Sequence, residues 1–240
     1  MASSDLQRPP LWAIVPAAGS GRRMGAGAVP KQYLPLAGRS VIEWSLGAFL
    51  ARQDCRGIVL VLSPDDRSWH ELTIARDPRV ITARGGAERA DSVRAGLAAL
   101  SDRAGEHDWV LVHDAARPCL RDEDLERLVD ELRDDPVGGL LAAPVVDTLK
   151  RAEANGRVLQ TVPRAGLWRA LTPQMFRYGL LRRALEAAAA RQESVTDEAQ
   201  AIEALGHQPR LVAGDPDNIK ITVGDDLRRA EQVLQSRSLV

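Results

Sequence analysis

The feature that most constrains this 240-residue chain is a repeated exchange of two hydrophobic patterns. Short runs rich in Val, Leu and Ile fall at residues 11–15, 58–62, 80–82, 109–113 and 139–143, bounded by Gly, Pro or Asp, and read as buried strands. Between them lie helical patterns. One covers 41–50. Another is marked by Val93, Leu97 and Leu100, with Asp91 or Ser92 as its N-cap, and a third covers 124–132. Strand–helix alternation of this kind predicts an α/β fold: a mostly parallel, twisted sheet covered by helices on both faces.

The alternation lapses after Pro144. Residues 147–163 are polar and carry Asn155-Gly156, a dipeptide that favours a tight hairpin. They predict a two-stranded arm, inserted at about 145–170 in a single 1–240 domain. An isolated hairpin is marginal in water, so the arm must pack on something. Leu167 and Trp168 offer apolar contact nearby. The pattern then resumes with an alanine-rich helix over 177–191 and a second over 197–205, capped by Thr196 and ended by Gly206. Short strands are expected at 209–212 and 219–222, and a last helix at about 225–235.

Composition excludes several partners. The net charge is −1, so no whole-molecule field attracts nucleic acid or an anionic membrane, and any anion site is built locally. No apolar stretch approaches the roughly 18 residues of a membrane helix. The first ten residues lack the apolar run of a signal peptide and read as a frayed tail. Cys55 and Cys119 form no disulfide framework and fit a reducing cytoplasm; no Cys/His spacing resembles a zinc site.

Four segments carry chemistry. The first is PAAGSGRRM, residues 16–24, directly after the first strand. Its small residues and glycines let backbone N–H groups line an anion cradle at a strand's carboxyl end. Arg22, Arg23 and Lys31 stand beside it. It lacks the Gly-Lys-Ser/Thr of a Walker A loop and the third glycine of a dinucleotide fingerprint. The second is HDAARP, residues 113–118. Asp114 at a strand end can hold Mg²⁺ against a triphosphate or cap the following turn; Arg117 can touch a substrate phosphate or hydroxyl, and His113 reads as structural. The third is GGAERADS, residues 85–92, where Gly85 and Gly86 before a helix let a planar base approach the backbone and Ser92 can add to base selection. The fourth is DPDNIK, residues 215–220, which supplies a second carboxylate and Lys220. Thr148, Lys150, Arg164 and Thr172 add phosphate-type ligands on and after the arm, though each could also be an ordinary surface residue.

The strings PAAGSGRRM, PKQYLPLAGRSVIEWS, GGAERADSVRAGL, HDAARP, LTPQMF, TDEAQAIEALG and DNIKIT resemble those of the 2-C-methyl-D-erythritol 4-phosphate cytidylyltransferase family of the non-mevalonate isoprenoid pathway, from about Ala13 to Ala230. The resemblance implies a Rossmann-like nucleotidyltransferase domain with a β-arm that embraces a second subunit. It implies Mg²⁺-dependent transfer of CMP from CTP to methylerythritol phosphate, with release of pyrophosphate. By the same resemblance, Arg23 and Lys31 are the catalytic cations, with Arg22 in the same motif. Ala17, Ala18, Gly19, Gly21, Gly85, Gly86 and Ser92 bind the nucleotide. Asp114 and Arg117 lie near metal and acceptor, Asp217 is a carboxylate near both, and Thr148, Arg164, Thr172 and Lys220 hold the acceptor phosphate. Thr148 and Arg164 would come from the partner's arm. The loop 24–30 is about one residue longer than the family pattern, and Pro163 and Ala165 flank Arg164 where an acidic residue and an asparagine are usual.

The chemistry needs no activated His or Ser, because a phosphate oxygen is already ionised near neutral pH. Positioning and charge stabilisation suffice. Two other readings use the same residues: a transferase for another polyol phosphate or a sugar 1-phosphate, and an inactive nucleotide-binding regulator. The regulator should have lost a member of the set Arg23, Lys31, Asp114 and Lys220, and all four are present.

Overall fold

A computed structural model describes residues 9–19 and 29–237. The strands are β1 (Leu11–Pro16), β2 (Pro35–Leu36), β3 (Arg39–Ser40), β4 (Cys55–Leu62), β5 (Val80–Arg84), β6 (Trp109–Val112), β7 (Gly138–Pro144), β8 (Leu149–Ala152), β9 (Val158–Val162), β10 (Trp168–Arg177) and β11 (Arg210–Ala213). The α-helices are α1 (Val41–Leu50), α2 (Arg89–Ala98), α3 (Asp122–Leu132), α4 (Tyr178–Ala190), α5 (Glu198–Glu203) and α6 (Gly224–Arg237). Among the described residues no helix is long and apolar enough to cross a membrane.

Seven strands form one sheet in the order β11-β7-β10-β6-β1-β4-β5. β1 pairs in parallel with β4 on one side and with β6 on the other. The chain thus runs outward through β4 and β5, then returns across β1 to β6. That reversal opens a crevice at the carboxyl ends of the strands, where open α/β sheets take their ligands.

Side-chain parity explains why both faces are covered. Ala13 and Val15 of β1, Ile58 and Leu60 of β4, and Leu111 of β6 join Ile42, Leu46 and Phe49 of α1 and Leu125 and Leu128 of α3. The alternate residues Ile14, Val59, Val61, Val110 and Val112 join Val93 and Leu97 of α2, Leu181 and Leu185 of α4, and Ile202 of α5. Successive side chains point to opposite faces, so strands apolar at every position need helices on both. A third cluster, Leu36, Val41, Cys119, Ile221, Ala230 and Leu234, seats α6 and the segment around Lys220 beside the β2–β3 turn.

The structure corrects several expectations. β10 is a ten-residue strand antiparallel to both β6 and β7, where only isolated apolar contacts were expected. Pro173 hides it, since proline cannot donate to a ladder; the register with β7 skips there, between Ala170 and Gln174. Residues 219–222 form no strand. The Ile221 N–H bonds to the Ala116 carbonyl at 2.8 Å, but the Asn218 carbonyl accepts instead from the Arg117 guanidinium at 2.7 Å, so no ladder develops. The N-cap of α2 is Glu88, with Asp91 inside the helix and its carboxylate accepting from the Glu88 N–H at 3.2 Å. The N-cap of α5 is Asp197, which accepts from the Gln200 N–H at 2.9 Å, while Thr196 donates to the Gln200 side chain.

The arm forms as expected. β8 and β9 pair antiparallel in a sheet of their own, and Gly156 takes φ +81° at the turn. Val146, Val158, Leu159, Leu167 and Trp168 are all exposed on or beside it.

Candidate active site

Three loops at the carboxyl ends of the sheet meet over the crevice. The first, after β1, is held from two sides: the Ala17 N–H donates to the Val61 carbonyl at 2.7 Å, and the buried Gln32 amide donates to the Ala17 carbonyl at 3.0 Å. The second follows β5, where the Gly85 N–H donates to the Leu62 carbonyl at 2.8 Å. Gly85 needs to be glycine for contact, because an added Cβ would sit 2.4 Å from the Ala18 Cβ and 2.8 Å from the Ser92 hydroxyl. The two loops therefore touch through Gly85. The third, after β6, carries Asp114 and Ala116.

These loops enclose a cavity of about 260 Å³. Of the residues singled out in the sequence, Ala17, Ala18, Gly19, Lys31, Gly86, Ser92, Asp114 and Lys220 line it, while Gly85 packs against Ala18 and Ser92 without lining it. Gln32, Glu88 and Arg89 line it too, and no role was expected of them. Lys31 reaches it from a 3-10 turn and donates to the Ile221 carbonyl at 2.9 Å. A larger cleft of about 660 Å³ lies over α1 and the start of α3, lined by Arg39, Trp44, Arg121 and Arg237. Volume does not choose between them; the smaller cavity sits at the strand ends and holds the glycines and cations expected of a phosphate site.

Asp114 is the electrostatic centre. Its Oδ1 accepts from Arg89 Nε at 2.9 Å, and its Oδ2 lies 2.8 Å from Lys220 Nζ and 3.5 Å from Arg117 Nε. Burial pushes the Asp114 carboxyl up, but the charges of Arg89, Lys220 and Arg117 outweigh it and hold the group well below the usual carboxylate range. Arg89 continues inward, giving Nη1 and Nη2 to the two oxygens of Glu198 at 2.6 and 3.0 Å. The same two carboxylates raise the Arg89 guanidinium above its ordinary range against its own burial. Glu198 was unassigned because its partner is 109 residues away and only folding joins them. A lone acidic residue on a short, otherwise buried helix face was its one signal.

His113 is structural. It is fully buried, and burial lowers its pKa to about 4, so the ring is neutral. Its Nε2 lies 3.0 Å from the Arg117 carbonyl, which can only accept, so Nε2 carries the proton and Nδ1 accepts. The Thr172 hydroxyl, 2.9 Å from Nδ1, must then donate to it, while its oxygen accepts from the Asp114 N–H at 3.2 Å. Thr172 is buried and lies one layer behind the cavity.

Other predicted residues are not gathered here. Arg117 sits behind the cavity, tied to Asn218 and Asp114. Thr148 and Arg164 are exposed at the base of the arm, and the Arg164 guanidinium donates to the Val146 carbonyl. Asp217 is exposed, its N–H donates to Asp215 at 2.8 Å, and it does not line the cavity. Gly21, Arg22 and Arg23 lie outside the described residues.

The donor set does not fit a metal held by protein. Among the described residues no three His, Cys, Asp or Glu side chains converge. Asp114 already has both oxygens on cations. Mg²⁺ in nucleotide sites takes one or two carboxylates and relies on phosphate oxygens and water.

Comparison with known proteins places nearly the whole chain in one family. A family profile described as 2-C-methyl-D-erythritol 4-phosphate cytidylyltransferase matches residues 11–236. A protein of that name from Ectopseudomonas mendocina (strain ymp) is 57% identical over 228 residues, covering 95% of this chain and 97% of the relative. One from Pseudomonas putida (strain W619) is 54% identical over 225 residues, covering 93% and 95%. A crystal structure of a 4-diphosphocytidyl-2C-methyl-D-erythritol synthase matches with a TM-score of 0.81 at 42% identity, covering 94% of this chain and 98% of that one. The Francisella tularensis 2-C-methyl-D-erythritol 4-phosphate cytidylyltransferase also gives a TM-score of 0.81, at 32% identity, covering 93% and 99%.

Proposed function

Because the chain belongs to the 2-C-methyl-D-erythritol 4-phosphate cytidylyltransferase family, we infer that the cavity lined by Ala18 and Lys220 is where it transfers CMP from CTP to 2-C-methyl-D-erythritol 4-phosphate. The observation that carries this assignment is the convergence of Ala18, Lys31, Gly86, Asp114 and Lys220, from separate segments of the chain, on one small cavity.

An acceptor phosphate oxygen attacks the α-phosphorus of CTP as the bond to the β-phosphate oxygen breaks and pyrophosphate leaves. The product is 4-CDP-2-C-methyl-D-erythritol. Negative charge grows on the α-phosphate oxygens and on the departing bridge. Lys31, fixed by the Ile221 carbonyl, is placed to meet it, and preorganised charge of this kind is the usual source of rate in phosphoryl transfer. We assign Arg23 to the same task and Gly21 and Arg22 to the cradle. The backbone of Ala17, Ala18, Gly19, Gly85 and Gly86, with Ser92, reads the nucleotide. Lys220, held by Asp114 Oδ2 at 2.8 Å, takes the acceptor phosphate with its remaining N–H donors. Thr172 and Arg117 support that end from behind, through the Asp114 N–H and the Asn218 carbonyl.

We keep Mg²⁺ as a requirement: bound to the triphosphate it would neutralise charge there, with Asp114 and Asp217 outside its protein ligands. We further propose a homodimer in which Thr148 and Arg164 complete the partner's site. The support is that both lie outside their own chain's cavity and that the arm exposes a row of apolar side chains. Residues 1–240 then act as one nucleotidyltransferase unit, with the arm at about 145–170. Buried free thiols at Cys55 and Cys119 suit a cytoplasmic enzyme.

The test is pyrophosphate release from CTP and from UTP with the methylerythritol phosphate. Cytosine and uracil reverse donor and acceptor at N3 and the exocyclic group, so a base read by fixed backbone groups gives a preference for CTP of about 10³-fold or more. Equal kcat/KM for the two nucleotides refutes the base-reading assignment.

A further inference from the structure

Glu198 lines no part of the cavity, yet it is the buried end of a chain of charges that reaches it. Its side chain is 1% exposed, and both oxygens are spent on one guanidinium. That guanidinium, of Arg89, uses its remaining Nε on Asp114 Oδ1 at 2.9 Å. Asp114 Oδ2 is thereby left facing Lys220 at 2.8 Å. One planar fork thus spans two carboxylates and sets which oxygen of Asp114 meets the lysine.

The anchor is itself fixed. Glu198 opens α5, whose N-cap Asp197 accepts from the Gln174 side-chain amide at 2.9 Å, and Gln174 Oε1 accepts from the Ala199 N–H at 2.8 Å. Gln174 lies on β10, which pairs with β6 directly before Asp114. The helix and the strand end therefore share one frame.

We propose that Glu198 is a positioning residue for the acceptor half of the reaction, acting through Arg89 to hold Asp114 in the orientation that presents Lys220 to the acceptor phosphate. This rests on the site assignment above. Two physical effects require Glu198. It supplies a second carboxylate to a guanidinium that would otherwise share Asp114 alone with Lys220 and Arg117. It also holds that guanidinium in a bidentate grip that a single ammonium could not reproduce.

The experiment measures steady-state constants for both substrates, and thermal midpoints, in wild type, Glu198→Gln, Arg89→Lys, Asp114→Asn and the double variant Glu198→Gln/Asp114→Asn. In Glu198→Gln and in Arg89→Lys, KM for the acceptor should rise about tenfold, the loss expected when one buried charged hydrogen bond is misdirected. KM for CTP should stay within roughly twofold. Adding Glu198→Gln to Asp114→Asn should raise acceptor KM no further, because the residue acts only through Asp114. A purely structural Glu198 would lower the midpoint and the active fraction and leave both KM values alone, and that outcome overturns the proposal. If Glu198→Gln yields no folded protein, Arg89→Lys decides, since it keeps the charge and removes the fork; a wild-type acceptor KM there overturns the proposal too. If Asp114→Asn itself leaves acceptor KM unchanged, the site assignment fails, and the relay falls with it.

Discussion

Gly85→Ala tests the contact that joins the two nucleotide loops. The added Cβ would lie 2.4 Å from the Ala18 Cβ, 2.8 Å from Ser92 Oγ and 3.3 Å from the Leu62 carbonyl oxygen. Carbon atoms settle at about 3.5–4.0 Å, so Ala18 and Gly85 must part by about 1 Å. Gly85 cannot retreat without losing its bond to Leu62, which continues the β4–β5 ladder. The movement therefore falls on the loop after β1. Overpacking of this kind costs about 1–3 kcal/mol of stability. A 1 Å shift of a cradle that positions the reacting phosphate costs about 10² in rate. The assay is kcat/KM for CTP, calorimetric CTP binding and a urea melt. Gly224→Ala is the control, since a Cβ there meets nothing within 4 Å, and its stability should stay within about 0.5 kcal/mol of wild type. If Gly85→Ala keeps wild-type CTP affinity and stability, the two loops do not depend on this contact.

Three further outcomes are expected. Lys31→Ala should lower kcat by roughly 10²–10³ while the protein stays folded; near-normal turnover would remove Lys31 from the chemistry. Lys31→Ala and Arg164→Ala homodimers should both be nearly inactive, and mixing them with subunit exchange should restore about a quarter of wild-type activity, because half the dimers then hold one intact site of two. No recovery despite demonstrated exchange would show that Arg164 serves its own chain. The last concerns pH. Burial lowers the His113 pKa from 6.5 to about 4, so the unfolded chain binds a proton that the native chain refuses between those values. Stability then falls as pH falls through that window, by up to about 3 kcal/mol from this group, and His113→Gln should flatten the slope in urea melts taken from pH 7 to 4. An unchanged slope would assign the acid sensitivity elsewhere.

What was legible in the sequence follows from range. β1, β4 and β6 are apolar at nearly every position, a signature of strands buried on both faces, and their positions needed no tertiary information. The glycine loop and Asp114 were legible for the same reason: a strand's end says where the crevice lies. β10 was not, because Arg169, Pro173 and Gln174 break its apolar run while its pairing with β6 and β7 is set by segments far away in the chain. Residues 219–222 look like a strand because Ile219 and Ile221 are apolar, but these two residues pack under α6 rather than in the sheet. The Glu198–Arg89–Asp114 chain crosses 109 and 25 residues of sequence, and no local pattern announces it. Thr172 carried a phosphate-type hydroxyl in the sequence; only the neighbouring imidazole shows where its proton goes.

The reaction proposed above is a direct displacement in a cavity of fixed charges, with no covalent enzyme intermediate. Ser92 is the cavity's one hydroxyl among the described lining residues, and its Oγ donates to the Glu88 carbonyl at 3.3 Å. The direct test is stereochemical. CTP carrying a chiral α-thiophosphate should be converted with inversion at phosphorus, as a single in-line step requires. Retention would mean two displacements through a group on the enzyme, and would contradict the mechanism.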